Sequence, residues 1–324
     1  MYSNDVIMIT KCLSIISALL IQCHHTFALI SAEYSSSAKQ EDPELWNSTT
    51  TSLQNKKIVF IGDSVTRYQY LNLIHFIEFG YWNSGPRHVE LQKEWPSWKE
   101  FFDLGRSRFH GREICDCLRE DSEEWTKKSP RENRYYFHET SKLHVIYFSW
   151  MPPIALELNR TVIDNLKTNT SGGMTSSIYN AHINMTRSYF NLNRFLLAEV
   201  LSLSPDFVIV NQGIWRYGFE NLANGSNLID FAEALKLSSK VSIWKVTTAS
   251  MYWRYVRPAS DVHNNLFLET LKKHGILIFD AYNITASLTG RARENFVDHV
   301  HFYPHVYRVL NLELLSIILA YSNS

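Results

Sequence analysis

A serine in a favourable setting is the first feature of this chain that could support chemistry. Ser64 follows an apolar run and a turn in the segment IVFIGDSVTR, residues 58–67, and a helix-like segment continues to residue 79. This order predicts a buried strand, a tight turn and a helix. At that point backbone N–H groups and the helix dipole stabilise an oxyanion. Gly-Asp-Ser alone is an ordinary turn sequence, but the strand and helix around it favour a nucleophile.

A possible partner for the serine lies near the other end of the chain. Asp298 and His301 stand three residues apart in NFVDHVHFYP, just before an apolar segment at about residues 304–321. Serine needs an imidazole to take its proton, and the imidazole needs a carboxylate to fix its tautomer. Alone, this motif is more simply a helix cap with surface histidines. Together with the serine turn it predicts a Ser64–His301–Asp298 triad, with His299 as the rival base.

As a pair, the GDS turn and the D-x-x-H turn resemble the SGNH (GDSL-type) hydrolase superfamily, and within it the PC-esterase family. That family includes the plant trichome-birefringence-like polysaccharide O-acetyltransferases and the luminal domain of the sialate O-acetyltransferases. Three further segments are similar to it: PDFVIVNQGIW (205–215), IWKVTTASMYWR (243–254) and HGREICDCLR (110–119). The resemblance spans about residues 56–319, nearly the whole chain after its N-terminal segment.

The resemblance also implies an oxyanion hole. Its donors would be the Ser64 N–H and the side chain of Asn211, the asparagine of the N-x-G-x-W turn, with Arg67 as a third candidate. Gly213 and Trp215 of the same turn are expected to support the site. One departure is Ile214, where plant members often carry histidine. A second is that the superfamily's further oxyanion-hole glycine is not identifiable in FSWMPP, residues 148–153.

Two residues beside the serine have expected roles of their own. Asp63 is expected to bond within the turn rather than to react, since Asp commonly bonds the backbone of its own turn. Arg67 lies one helical turn further on. It is expected either to steady the loop, to contact a substrate carboxylate or phosphate, or to form a salt bridge on the helix surface.

The function implied by the resemblance is O-acyl transfer, most simply of acetyl, onto a glycan through an acyl-serine intermediate and without a cofactor. An O-acetylesterase of carbohydrates or small esters uses the same residues, with water in place of the sugar hydroxyl. A catalytically inactive glycan-binding protein on the same fold is a third reading, against which the intact triad argues. The chain lacks the G-x-S-x-G elbow of α/β-hydrolases and the phosphate loop of nucleotide-binding proteins.

Composition and the N-terminus bear on compartment and partners. Over 324 residues, 32 Lys and Arg balance 32 Asp and Glu, so no net charge recruits nucleic acid. Residues 1–32 combine a lysine with an apolar run and small residues, as in a signal peptide. An uncleaved signal anchor is the alternative, and only then is the membrane a partner. A linker is expected at 33–55 and the catalytic domain at 56–324, with a glycan or acyl ester as its substrate.

Sequons support entry into the secretory pathway, as a secreted or luminal protein. The acceptor asparagines are Asn47, Asn159, Asn169, Asn184, Asn224 and Asn283.

Cys115 and Cys117 are the cysteines beyond the N-terminal segment. A bond between residues two apart closes a small ring of unfavourable geometry, which leaves intermolecular pairing and two thiols open. Although His110 and His138 are near in sequence, the spacing fits no standard zinc site and no metal is expected.

Short apolar strands alternate with longer amphipathic helices after residue 56. Strands are predicted at 58–61, 144–148, 207–210, 241–246 and 276–280. Helices are predicted at 67–79, 187–202, 227–237, 262–274 and about 304–321. This alternation predicts an α/β fold, a three-layer αβα sandwich with about five parallel strands and a site at their carboxyl ends.

Two inserts interrupt this alternation and are expected as loops that can lie towards the catalytic edge. The first, 82–142, carries tryptophans among charged residues, and the second, 152–186, is rich in Asn, Thr and Ser. Tryptophans in such a setting either stack on sugar rings or anchor a long loop, and the sequence favours neither reading.

Overall fold

A sheet of seven strands lies at the centre of the part of the chain that the structure describes. The structure is a computed structural model and describes residues 39–83, 107–118, 131–150, 156–159, 186–189, 191–213, 222–223, 225–251 and 261–322. The strands are β1 (Lys39–Glu41), β2 (Lys57–Gly62), β3 (Tyr81–Asn83), β4 (Glu113–Leu118), β5 (Arg131–His138), β6 (Leu143–Ser149), β7 (Leu156–Asn159), β8 (Thr186–Tyr189), β9 (Phe207–Val210), β10 (Val241–Lys245) and β11 (Leu277–Phe279). The α-helices are α1 (Pro43–Ser52), α2 (Ser64–Phe79), α3 (Leu192–Phe195), α4 (Ser226–Leu237), α5 (Asn265–Lys273), α6 (Ala281–Ala286), α7 (Ala292–Asn295) and α8 (Pro304–Ser322).

The central sheet is mixed but mostly parallel. Its order is β11-β10-β9-β2-β6-β5-β4, and every pair from β11 to β6 is parallel. The predicted α/β fold is confirmed, and the five predicted strands correspond to these five parallel strands. Beyond β6, the strands β5 and β4 continue the sheet in antiparallel pairing. The sheet is therefore wider than the five strands that the sequence predicts.

The two additional strands come from the insert at 82–142, where the sequence predicts a loop. An apolar pattern does not mark β5 as a strand because Glu132 and Arg134 occupy buried positions in it. Their charges are paired, since Arg134 Nε donates to Glu132 at 2.6 Å and Arg134 Nη1 donates to Glu113 of β4 at 2.7 Å. Buried charges that pair in this way are compatible with a sheet interior and break the expected alternation.

Helices cover both faces of the sheet. On one face, Phe60 of β2 packs against Tyr70 of α2. On the other face, Trp244 of β10 packs against Phe231 of α4 and Phe267 of α5. The long helix α8 lies against α2. The parallel strands are thus buried from both sides, which explains their nearly continuous apolar sequences.

Some boundaries differ from the predicted ones because of local caps. The helix expected from 187 begins only at α3, where Asn191 accepts bonds from the N–H groups of Asn193 and Arg194. The residues before it form β8, which pairs with β7. Helix α2 begins at Ser64 rather than at 67 because Asp63 caps it. Most of the second insert, 152–186, lies outside the described residues.

Part of the expected linker packs onto the rest of the described chain. Within residues 33–55, β1 pairs with β3 and α1 follows it. Trp46 of α1 donates its Nε1–H to the carbonyl of Ile77 in α2 at 2.8 Å. Residues Lys39–Ser324 form one compact unit. The segment after residue 38 is therefore tied to the helix that carries Ser64.

Trp82 and the cysteines of the first insert are placed by the structure. Trp82 is fully buried and stacks on Phe76 at 4.0 Å between ring centroids, so this tryptophan is a core anchor. The other tryptophans of the insert lie outside the described residues. Cys115 and Cys117 form a disulfide, contrary to the geometric expectation. Alternate strand residues point to the same side, and here their Cα atoms are only 5.2 Å apart, within the range that a disulfide spans.

The sequons are only partly described. Asn47 and Asn283 are exposed on α1 and α6, and Asn159 ends β7. The remaining sequons at Asn169, Asn184 and Asn224, like the N-terminal segment, lie outside the described residues. In the regions that are described, no helix has the combined length and apolar character needed to cross a bilayer.

Candidate active site

Ser64 is the first residue of α2 and follows directly on the carboxyl end of β2. Its neighbour Asp63 is fully buried and caps the helix: the N–H groups of Val65 and Thr66 donate to Asp63 Oδ1 at 3.0 and 3.3 Å. The first N–H groups of a helix have no partner within the helix itself. Because the cap takes those of Val65 and Thr66, the Ser64 N–H is the N-terminal amide that remains for a ligand.

Glycines allow other segments to approach this turn closely. Gly213 has a φ of +71°, and a Cβ at this position would overlap the Asp63 carboxylate. A Cβ on Gly62 would lie 2.6 Å from Thr66 Oγ1. From β6, the hydroxyl of Tyr147 reaches the carbonyls of both Gly62 and Asp63 at 3.0 Å. The turn that carries the serine is therefore held between Tyr147 of β6 and the segment that follows β9.

Asp298 and His301 form a self-contained turn. The N–H groups of Val300 and His301 both donate to Asp298 Oδ1 at 2.8 Å, and His301 Nδ1 bonds Asp298 Oδ2 at 2.7 Å. Burial would raise the pKa of Asp298, but the bonds and charge of His301 outweigh it and lower the pKa to about 2. The carboxylate is therefore ionised at neutral pH and accepts a proton carried on His301 Nδ1, so that in the neutral imidazole Nε2 is the acceptor.

These two turns meet. The atoms Ser64 Oγ and His301 Nε2 are 2.7 Å apart, although the residues are separated by 237 positions in sequence. A continuous hydrogen-bonded chain thus runs from Ser64 through His301 to Asp298. The His301 side chain is 18% exposed and that of Asp298 is 42% exposed. The arrangement is that of a nucleophile, a base and a carboxylate that orients the base.

Contacts from neighbouring elements hold His301 in place. The ring of Tyr68, one helical turn after Ser64, meets the imidazole edge-on with centroids 5.2 Å apart and planes at 89°. The carbonyl of His299 accepts bonds from Ser250 Oγ and the Met251 N–H in the segment after β10, both at 3.0 Å. Of the two candidate bases, it is His301 that bonds Ser64.

The Asn211 side chain is turned into the protein interior. It is buried, and its Nδ2 donates to the carbonyl of Lys245 at 2.8 Å and to Thr247 Oγ1 at 3.4 Å. Its Oδ1 accepts a bond from Thr66 Oγ1 at 3.4 Å. Asn211 therefore joins the ends of β9 and β10 to α2, and its amide hydrogens are already engaged. The predicted oxyanion-hole role would require the Asn211 side chain to exchange these partners. Trp215, which is expected to support the site, lies outside the described residues.

Arg67 is not a surface residue. Its side chain is 3% exposed, and its Nη1 donates to Glu132 of β5 at 2.8 Å. Burial would lower the pKa of Arg67, but Glu132 reverses this effect and the pKa lies above its ordinary value. The expected surface salt bridge is thus a buried one. It continues from Glu132 to Arg134 and Glu113, tying the serine helix to the antiparallel part of the sheet.

Three residues at this site are missed by the sequence argument: Tyr68, Glu132 and Lys245. Tyr68 follows from helical spacing, since it lies four residues after Ser64. Lys245 is a charged residue at the end of an otherwise buried strand, and that anomaly is visible in the sequence. Glu132 has no comparable signal, because its partner Arg67 is distant in sequence. Among the described residues, no cluster of three His, Cys, Asp or Glu side chains could hold a metal ion.

Comparison of the chain with models of protein families and with curated proteins finds no match in either case. The fold and site define an α/β protein with a hydrogen-bonded Ser–His–Asp chain at the carboxyl edge of its parallel strands. The resemblance to SGNH hydrolases stays a prediction from motifs.

Proposed function

We propose that this chain is a serine-dependent acyl-transfer enzyme with Ser64 as nucleophile, His301 as base and Asp298 as the orienting carboxylate. One observation carries the proposal: two 2.7 Å contacts join three side chains that the fold brings together from opposite ends of the chain. Each group has the partner that its role requires. A structural role alone would not require a partly exposed serine to face the free nitrogen of an oriented imidazole.

The chemistry follows from these positions. Ser64 Oγ forms a bond to the acyl carbon of an ester while its proton passes to His301 Nε2, and the carbonyl electron pair moves onto oxygen. The Ser64 N–H faces the developing charge at the N-terminus of α2. The tetrahedral intermediate then expels the alkoxide, which takes the proton from Nε2. An acceptor hydroxyl repeats these steps in reverse and releases Ser64.

The substrate class is proposed from the sequence. The paired motifs resemble the PC-esterase branch of the SGNH superfamily, and a three-layer SGNH-like arrangement is consistent with the helix-flanked sheet. The sequons and the N-terminal segment favour the secretory pathway. We therefore favour O-acetyl transfer to a glycan. Hydrolysis by the same triad is the second candidate, favoured by the same geometry, because only the acceptor differs.

The test is acyl-enzyme formation on the full chain, purified from a eukaryotic secretory system. The protein is incubated with p-nitrophenyl acetate, with and without an added oligosaccharide, and examined by intact-mass and product analysis. We expect an acetyl group on Ser64 and a loss of turnover on the order of 10⁴-fold or more in Ser64→Ala and His301→Ala. The matched controls Ser226→Ala, at the start of α4, and His299→Ala should keep wild-type rates.

The outcomes separate the readings. Passage of the acetyl group to the sugar identifies a transferase, and release to water regardless of sugar identifies an esterase. If His299→Ala lost the acylation rate and His301→Ala kept it, His299 rather than His301 would be the base. If wild type, Ser64→Ala and His301→Ala behave alike, the triad is idle and a glycan-binding protein is the better reading.

A further inference from the structure

A buried lysine lies directly beneath the turn that carries Ser64. Lys245 is the last residue of β10 and is fully buried. Trp244 before it faces α4 and α5, so alternation directs Lys245 to the opposite face, towards α2. There its Nζ donates to Thr66 Oγ1 at 3.5 Å, and Thr66 Oγ1 in turn donates to Asn211 Oδ1.

Two buried carboxylates act on this ammonium group, Asp63 and Asp261. Asp261 is occupied in holding the segment after β10, since it accepts bonds from Trp244 Nε1 at 2.7 Å and from the Thr247 N–H at 3.1 Å. Asp63 is the cap of α2, immediately before Ser64. Lys245 therefore supplies a buried positive charge next to the capping carboxylate of the serine helix.

The positive charge of Lys245 can compensate for an unfavourable electrostatic effect of the Asp63 cap. An aspartate at the N-terminus of a helix stabilises the helix, but its negative charge repels an oxyanion that forms at the Ser64 N–H. Burying a lysine without a close carboxylate contact is costly, and an apolar side chain would fill the same volume at lower cost. The burial of Lys245 against Thr66 is explained if its charge offsets that of Asp63 during the reaction.

We propose that Lys245 is a positioning residue of this site, whose buried ammonium holds the Ser64 turn and offsets the Asp63 carboxylate where the oxyanion forms. The inference rests on the proposed acyl-transfer function and extends it to the electrostatics beneath the nucleophile. Lys245 touches no substrate and acts through Thr66 and Asp63.

The charge of Lys245 is sensitive to pH in a useful range. Burial lowers the pKa of its ammonium to about 8, although Asp63 and Asp261 oppose the shift. As pH rises through about 8, the ammonium loses its proton and Asp63 is no longer offset. The rate of Ser64 acylation should therefore fall as pH rises above about 8. If Lys245 had a purely structural role, the acylation rate would stay constant in that range.

The experiment compares wild type with Lys245→Met and Lys245→Arg on the full chain. The rate of Ser64 acetylation by p-nitrophenyl acetate is followed by intact mass from about pH 6 to pH 10, and thermal melting reports folding. Lys245→Met should acylate on the order of ten- to fifty-fold more slowly at neutral pH, with no alkaline fall. Lys245→Arg, which stays charged, should acylate faster than Lys245→Met and lose the alkaline fall. The exposed Lys240→Met, just before β10, should match wild type.

The result separates this inference from the proposed function. If wild type is not acylated on Ser64, the proposed function fails. If wild type is acylated and Lys245→Met has the same rate and pH profile, the lysine inference alone is overturned. If neither substitution folds, the wild-type profile decides: a constant acylation rate above about pH 8 overturns the inference, and a fall centred there supports it.

Discussion

The two halves of the candidate site are held in different ways. The Ser64 turn is buried and fixed by distant groups, among them Tyr147 of β6 and the Arg67–Glu132 pair. The Asp298–His301 turn is partly exposed, and the bonds of its carboxylate span at most three residues. Its contacts with other elements are those of Tyr68 with the imidazole and of the segment after β10 with the His299 carbonyl. One half is built into the sheet, and the other is a local turn that docks against it.

Because of this difference, we expect substitutions in the two turns to affect the acylation rate and the free energy of unfolding differently. Changes in the local turn should remove the proposed acyl transfer and leave most packing in place, because few other elements depend on this turn. Changes around the serine turn remove buried partners and should lower the free energy of unfolding as well. Three substitutions test this contrast, and their expected effects decrease in the order given.

The largest expected effect is that of Asp298→Asn on rate. The new amide would face His301 Nδ1 with a donor, which favours the tautomer that carries its proton on Nε2 and removes the base. We expect acylation to slow on the order of 10⁴-fold, with a nearly unchanged denaturation midpoint. Burst kinetics and urea titration measure the two quantities, with the exposed Asp230→Asn as control. A large loss of stability would contradict the view that this turn is locally held.

The reverse pattern is expected for Glu132→Gln, which leaves the buried guanidiniums of Arg67 and Arg134 short of one negative charge. Breaking a buried ion pair in this way costs about 3–5 kcal/mol of unfolding free energy. Urea denaturation checks the loss. The matched Glu139→Gln, whose side chain is 58% exposed, should change stability by less than about 1 kcal/mol. Equal effects of the two substitutions would show that the buried chain of charges does not anchor the serine helix.

The smallest effect concerns the pH dependence of stability. Burial raises the pKa of Asp261 to about 6, against opposing bonds from Thr247 and Trp244. Between about pH 4 and pH 6 the folded chain holds a proton on Asp261 that the unfolded chain releases. The contribution of Asp261 to the free energy of unfolding therefore falls as pH rises through that window. It amounts to about 3 kcal/mol.

Urea denaturation at several pH values checks this, since Asp261→Asn should lack the fall that wild type shows. Asp298 contributes little in the same window, because its pKa is lowered to about 2. Any stability that depends on Asp298 is lost only as pH falls from about 4 towards 2. An identical slope in wild type and Asp261→Asn would place the titration elsewhere.

The sequence predicts those parts of the molecule that leave local patterns. Apolar runs mark the five parallel strands, and the carboxyl ends of such strands meet at one edge, so the serine turn falls there. The spacing of Asp298 and His301 suffices to predict their mutual contact, because that contact spans three residues. The partnership with Ser64 depended on combining both motifs.

Long-range electrostatics are what the sequence does not reveal. Strands β4 and β5 escape detection because Glu113, Glu132 and Arg134 pair with each other inside the sheet. The buried ion pair of Arg67 does not follow from the sequence, because its partner lies 65 residues away. The orientation of Asn211 is likewise set by the carbonyl of Lys245, which only the folded sheet brings near.

The disulfide of β4 has a consequence for how the molecule meets its neighbours. Two residues of an ordinary strand advance by about 6.6 Å, whereas the Cα atoms of Cys115 and Cys117 are 5.2 Å apart. Among the described residues β4 is an outer strand of the sheet, and at the opposite side β11 (Leu277–Phe279) is only three residues long. The compressed residue spacing in β4 does not match the spacing of a strand from another molecule that would pair with it. The two outer strands are thereby poor templates for pairing with a strand of another molecule.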